Sequence, residues 1–286
     1  MHPDLAIIVE LEPRADRVFR GRVPQVGWQR VFGGLVIAQA LRAAQLTVTA
    51  KHSHSLHGYF LLGGDPARPI DYEVEAIRDG RSFATRRVLA RQDDDVIFSM
   101  SASFHTDEPD GFVHQAPMPN VPAPEDLPTL DAIRSTILPT LPHPVRAYFE
   151  RERPIDLRPV DFARYRDVDT AQIGNRLWLR ANTTLPDDPE LHACILAYAS
   201  DMTLLDSALV RHHTSVFDPG IMPASLDHIM WFHRPVRADD WLFYEHDSPN
   251  AGGGRGFARG MLFARDGTLV ASVAQEGIIR KRRGYA

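Results

Sequence analysis

GGRGFARGMLFARD, residues 253–266, is a second writing of DGRSFATRRVLARQ, residues 79–92. Shifted by 174 positions, Gly80, Arg81, Phe83, Ala84, Ala90 and Arg91 meet Gly254, Arg255, Phe257, Ala258, Ala264 and Arg265. A repeat of this kind dictates architecture before any single element does. Upstream, SLHGYFLL from Ser55 resembles SLDHIMWF from Ser225. Further upstream, VFGGLVIAQALRAAQ from Val31 and LHACILAYASDMTLLDSAL from Leu191 both read as apolar helices. Each half therefore runs apolar helix, strand, strand, turn, strand, strand.

The strands follow from alternation and turn residues. IDYEVEAI (70–77) leads into the turn RDG, then SFATRRVLARQ and VIFSMSASF. The second copy gives WLFYEHDS (241–248), the loop PNAGGG (249–254), RGFARGMLFAR, the turn DGT and LVASVAQEG. Asp-Gly between alternating runs is a strong hairpin signal. One apolar helix per antiparallel meander implies a sheet wrapped around its helix, since such a helix must be covered nearly all round. Residues 106–150 hold nine of the 22 prolines and cannot pair continuously in a sheet, so they read as an ordered surface linker. RPIDLRPVDF (153–162) reads as the first strand of the second copy.

Composition narrows the function. Of 286 residues, 44% are hydrophobic and 24% charged, ordinary for a globular chain, and the net charge of −5 gives no support for a generic nucleic-acid binder. Lysine occurs only at Lys51 and Lys281, so arginine carries the positive charge. The single cysteine, Cys194, excludes an internal disulfide and suits a reducing compartment. No stretch approaches the roughly 20 apolar residues of a membrane span. The N-terminus lacks the basic start and long apolar run of a signal peptide, and RGYA is no peroxisomal address. The expectation is a cytoplasmic protein without membrane or nucleic-acid partners.

One residue breaks the pattern. On a helical wheel Asp201 sits among Cys194, Ala197, Tyr198, Leu204, Leu205 and Ala208. A buried charge is costly unless paired or hydrogen-bonded. Asp201 marks either the helix's exit into solvent or a working acid.

The motifs VFGGLVIAQAL, HSLHGYFLLGGDPARPIDYEVEAIRDGRSFATRRV, YASD, SLDHIMWFHRP, RGFARG and VASVAQEG resemble the acyl-CoA thioesterase II family, in unbroken order from about Arg30 to Arg280. The resemblance implies an α+β double hotdog fold, two antiparallel sheets each wrapped around a central helix. It implies a first hotdog domain over 1–107, a Pro-rich linker over 108–152, and a second hotdog domain over 153–286 carrying the catalytic residues. It also implies hydrolysis of acyl-CoA, with no metal or bound cofactor, by an Asp, a Thr or Ser, and a Gln that activate water. These fall on Asp201, Ser225 and Gln275; where many members carry Thr, this chain has Ser225.

The chemistry suits those residue types. Thioester hydrolysis needs a positioned water, a proton acceptor and donors for the developing oxyanion. Asp201 can take the proton, Ser225 can donate and accept, and Gln275 offers both an NH2 and a carbonyl. Phe32, Gly33 and Gly34 open the first helix, where free N–H groups can face a substrate carbonyl, making them candidate substrate-binding residues. Opposite Asp201 the first copy has Arg42 or an apolar neighbour, depending on register, so one active site per chain is expected.

Other residues invite blander readings. His228 and His233 suit core or hydrogen-bonding roles, since no Cys or carboxylate cluster accompanies them at ligand spacing. His212 and His213 read as loop residues, and Cys194 as packing. GGGRGFARG is not a dinucleotide fingerprint, because its spacing is wrong and no helix follows. RKRR (280–283) is a solvated tail that could attract CoA phosphates. The rival functions are an enoyl-CoA hydratase and a non-catalytic acyl-CoA-binding protein. The first needs an Asp/His pair beside a Gly, which the sequence does not show around Asp201. The second favours a fused DNA-binding segment, and none precedes Val31. The apolar helices suggest medium- to long-chain substrates, hence a role in fatty acid and lipid metabolism, and the duplicated sheet suggests assembly into a homodimer or homotetramer.

Overall fold

The computed structural model describes residues 5–24, 30–108, 110–129, 132–141, 143–150, 153–160 and 175–282. Strands β1 (Leu11–Ala15) and β2 (Val18–Gly21) precede helix α2 (Gly33–Gln45) and are preceded by the short helix α1 (Leu5–Ile8). Then come β3 (His52–Phe60), β4 (Ile70–Asp79), β5 (Phe83–Gln92) and β6 (Asp95–His105). After the linker and α3 (His143–Glu150), the plan recurs: β7 (Ile155–Pro159), β8 (Arg176–Ala181), α4 (Pro189–Ser200) and a 3-10 turn (Leu205–His212). Strands β9 (Ile221–Ser225), β10 (Asp227–Phe232), β11 (Leu242–Gly252), β12 (Arg255–Ala264) and β13 (Leu269–Lys281) complete it.

The two halves form one continuous sheet in the order β1-β2-β4-β5-β6-β3-β10-β13-β12-β11-β8-β7, with β9 also paired to β13. The seam is the antiparallel pair β3–β10, with His57 opposite Ile229. The order of one half mirrors that of the other across this seam, as the sequence repeat requires. The two expected sheets are thus joined edge to edge. Each half also opens on a strand pair, of which the sequence reading foresaw only β7; residues 161 and 162 of that expected strand lie outside the described residues.

Helix α2 buries almost every residue because β3 to β6 cover one side and α4 packs on the other. Both helices share a single apolar core with Leu56, Tyr72, Phe98, Phe104, Leu179, Tyr244 and Leu262. At about 25 cal/mol per Å² of apolar surface removed from water, such burial is the main stabilising term. Together α4 and the turn after it, Pro189–His212, make 24 residues apolar and long enough to cross a membrane by composition. This corrects the expectation that no stretch approaches that length; Asp201 and Asp206 lie within it. Most of it is buried inside the protein as a core helix.

Two local expectations change. PNAGGG is not a loop: β11 runs on to Gly252, and only Gly253 and Gly254 turn, with φ of +59° and +74°. The register shifts between Asp247 and Asn250, so Pro249 falls in a bulge where its missing N–H is harmless. The two similar serines are also not equivalent. Ser55 lies opposite Ser103 within β3, whereas Ser225 ends β9 opposite Gly277.

The linker lies along the second half. Trp178 Nε1 donates to Pro122 O over 2.9 Å, and Arg265 grips Glu125 through two 2.8 Å bonds. It is not irregular throughout. Ile133, Leu138, Leu141 and Val145 from its short helical turns and α3 form a small separate core.

Candidate active site

Asp201 stands where two helix ends meet. Asp188 caps α4 at its start, accepting from Glu190 N over 3.0 Å, with Pro189 preset for the first turn. The helix ends at Ser200, whose carbonyl accepts from buried Tyr244 Oη over 2.9 Å. Asp201 is the residue that terminates the helix, and only 6% of its side chain is exposed. The wheel placed it on the apolar face, and it is indeed buried there.

Gln275, fully buried on β13, reaches it from the sheet. Gln275 Nε2 donates to Asp201 Oδ1 over 2.6 Å and to Ser225 Oγ over 3.1 Å. Acid, amide and hydroxyl are thus one connected set, drawn from the end of a helix and two strands. Gln275 Oε1 is buried with no hydrogen-bond partner among the described residues.

The N-terminus of α2 closes the site. A Cβ on Gly33 would lie 2.7 Å from Asp201 Oδ2 and 2.9 Å from Phe60 Cζ. One on Gly34 would lie 2.4 Å from Tyr198 O and 2.6 Å from the Phe32 ring. The glycines are there because the acid and α4 come that close. Phe32 packs edge-on against Tyr198, ring centroids 5.0 Å apart. Phe32 caps α2 without a side-chain bond, and its carbonyl takes the N–H groups of Leu35 and Val36. The Gly34 N–H faces the Asp201 carboxylate instead of open space.

Burial pushes the Asp201 carboxyl up to about pKa 6, against the opposing pull of the Gln275 amide and the Gly34 N–H. Burial likewise holds His228 down to about 3, so its ring is neutral. A carboxylate near 6 is a competent base at neutral pH.

His228 is the member the sequence reading left outside the site. Fully buried on β10, it puts Nδ1 3.3 Å from Gln275 Nε2 and Nε2 2.9 Å from Ser200 Oγ. Nδ1 also lies 3.8 Å from Asp201 Oδ1. An Asp/His pair beside a glycine therefore exists, contrary to the sequence reading, because β10 brings in a residue 27 positions from Asp201. The only sequence signal for His228 in this site is the LDH run that follows Ser225.

The other candidates separate. His233 Nε2 bonds Ser272 Oγ over 2.9 Å. His212 and His213 close the 3-10 turn. Cys194 is buried, its thiol pushed well up by burial, and donates to Gln45 Oε1 over 3.1 Å. Arg280 and Lys281 end β13, and Arg283 lies outside the described residues. Among the described residues no group of three or more His, Cys, Asp or Glu is placed to hold a metal. At the residue after α2, the place that Asp201 holds after α4, stands Leu46, an apolar residue as one of the two expected registers has it, and before it comes Gln45. Gln45 ends α2 and touches the first turn of α4, donating to Glu190 O over 3.1 Å.

Residues 144–278 match the family described as acyl-CoA thioesterase, and 19–105 that described as acyl-CoA thioesterase N-terminal domain. The chain is 39% identical over 278 residues to acyl-CoA thioesterase 2 of Haemophilus influenzae, covering 97% of each chain. A solved acyl-CoA thioesterase II from Mycobacterium marinum superimposes with a TM-score of 0.80 at 41% identity, covering 99% of both. A hotdog-fold protein from Alicyclobacillus acidocaldarius shares the fold at 20% identity, with a TM-score of 0.75 and coverage of 97% and 98%. The mirrored halves, the buried acid between two helix ends and these likenesses agree: the chain belongs to the acyl-CoA thioesterase family, with a double hotdog fold.

Proposed function

We propose that this acyl-CoA thioester hydrolase uses Asp201 as general base on water, with Gln275 and Ser225 holding acid and water in register. The observation that carries the reading is the connected set Asp201–Gln275–Ser225 facing Gly33. Asp201 takes a proton from water and the oxygen adds to the thioester carbonyl. The tetrahedral intermediate then collapses, breaking the C–S bond. The proton held on Asp201 passes to the leaving sulfur, giving a carboxylic acid and CoA. In the first turn of α2 the N–H groups of Gly34, Leu35 and Val36 are engaged, which leaves Gly33 N–H as the donor toward the oxyanion.

Medium- to long-chain acyl groups fit a site walled by Phe32, Phe60 and Tyr198, all partly buried against the core. Such a site supports a role in fatty acid metabolism. A cytoplasmic setting is supported by the one buried free thiol. Assembly into dimers or tetramers is supported by exposed Tyr59, Leu61, Leu62 and Trp231 near the seam and by the edge positions of β1 and β7, unpaired on their outer sides among the described residues.

The Asp201–His228 pair favours a second reading, hydration of an enoyl-CoA. His228 has both nitrogens engaged and no exposed surface, so it cannot reach a substrate. The test is thiol release from acetyl-, decanoyl- and palmitoyl-CoA beside crotonyl-CoA hydration and simple binding. Turnover of decanoyl- or palmitoyl-CoA without hydration is expected. Activity confined to acetyl-CoA would overturn the chain-length reading; binding or hydration without thiol release would overturn the mechanism.

A further inference from the structure

We infer that His228 is a positioning residue: as a permanent hydrogen-bond acceptor it fixes which way the Gln275 amide faces, before and after Asp201 takes the proton. The inference rests on Asp201 being the base.

Counting hydrogens assigns every partner. Ser200 has one hydroxyl hydrogen, and Ala197 O, which can only accept, lies 2.9 Å away on the same helix. That bond uses the hydrogen. His228 Nε2, 2.9 Å from the same Oγ, must then be the donor to it. A neutral imidazole carries one N–H, so Nδ1 is a bare acceptor. Its partner is Gln275 Nε2 at 3.3 Å. The amide has two hydrogens. One goes to Asp201 Oδ1 and the other is shared between Ser225 Oγ and His228 Nδ1.

Turning the amide over would set Oε1 against two acceptors, the Asp201 carboxylate and His228 Nδ1. Both therefore oppose the flip. The carboxylate opposes it only while ionised. Once Asp201 holds the water's proton, its O–H can donate to a flipped Oε1 as readily as it can sit beside the NH2. His228 Nδ1 remains an acceptor through that step, since burial keeps the ring neutral. Among neighbouring titratable groups, Tyr244 is buried and protonated, its hydroxyl spent on Ser200 O and its ring against His246, while Asp227 and Glu276 flank His228 and Gln275 in the chain, Asp227 Oδ1 accepting from Glu276 N. The unflipped amide leaves Gln275 Oε1 as a buried acceptor without a partner among the described residues, the place for the attacking water to donate.

Three measurements test this. In the wild type, 15N chemical shifts of His228 should report Nε2–H with Nδ1 unprotonated. The opposite tautomer overturns the inference without any variant being made. His228→Leu should lower kcat roughly 10- to 100-fold with KM little changed, the scale of a misplaced catalytic group. Its acid limb should move upward, because Asp201 loses the amide that favours its charged form. His228→Asn, whose side-chain oxygen can accept in place of Nδ1, should recover most of the rate. Ser200→Ala removes a hydroxyl whose partners are Ala197 O and His228 Nε2, leaving the Asp201 and Gln275 side chains in place. It should shift the acid limb the same way, by freeing the tautomer. Unmoved acid limbs and near wild-type kcat in His228→Leu and Ser200→Ala, with Asp201→Asn inactive, would overturn this inference alone. Wild-type turnover in Asp201→Asn would instead overturn the reading beneath it.

Discussion

Gln275 Nε2 donates to Asp201 Oδ1 over 2.6 Å, although 74 residues separate them in the chain. That bond is one of the joins between helix and sheet in the second half, beside those of Tyr244 and His228 to Ser200. It lets an acid raised to about 6 stay ionised at neutral pH in an apolar setting.

Asp201→Asn should keep the fold and cut kcat by roughly 10²–10⁴, the range of a general base. It should also melt higher. Unfolded, the carboxyl titrates near 3.8; folded, near 6. Between those values the native state binds more protons, so the acid's effect is destabilising as pH rises through that window. Asparagine cannot ionise, and the gain at pH 7.5 is up to about 3 kcal/mol. Thiol release and calorimetry on one preparation check both halves. An inactive variant that is also unfolded would make Asp201 structural.

The acid limb of kcat/KM should have its midpoint near pH 6 and rise with pH, since the ionised form is the base. Gln275→Ala removes a hydrogen bond to the charged form, so its remaining activity should show a midpoint moved upward. A midpoint near 4 in wild type would mean that burial does not raise the Asp201 carboxyl.

Gly33→Ala should be at least 10-fold less active although alanine favours a helix by up to about 1 kcal/mol. The new Cβ has Asp201 Oδ2 at 2.7 Å and the Phe60 ring at 2.9 Å, so the acid or the ring must move. Gly252→Ala is the control, with nothing within 4 Å of its added carbon. Equal rates in the two variants would show that the acid's placement is not tight.

Ser225→Ala and Gln275→Ala should each lower kcat with KM largely kept. Together they should lose much less than the product of the single losses, because both act on one water. A double-mutant cycle that multiplies would place the residues in separate steps.

Cys194 should be silent. Burial and a raised thiol pKa predict no reaction with a thiol reagent in the native enzyme and one equivalent after unfolding. Cys194→Ala should lose far less activity than any replacement at Asp201, as should His57→Ala, which lies outside the site against Trp231.

The duplication, the two apolar helices, the strands and the acid out of place were legible in the sequence, because each is a pattern of neighbours in one segment. Gly80, Phe83 and Ala84 find their second copy without any fold, and Asp201 stands out on a wheel. Where local signals misled, tertiary pairing won. Pro249 and Gly252 mark a loop, yet a bulge hides the proline and β11 continues through it. Ser55 and Ser225 match as letters but occupy different places in the sheet. What the fold alone decided is the meeting of chain-distant groups. The start of α2 lies against the end of α4, and His228 is turned inward with both nitrogens engaged. Burial, hydrogen-bond direction and the pKa of the acid depend on those long-range contacts, which no spacing along the chain encodes.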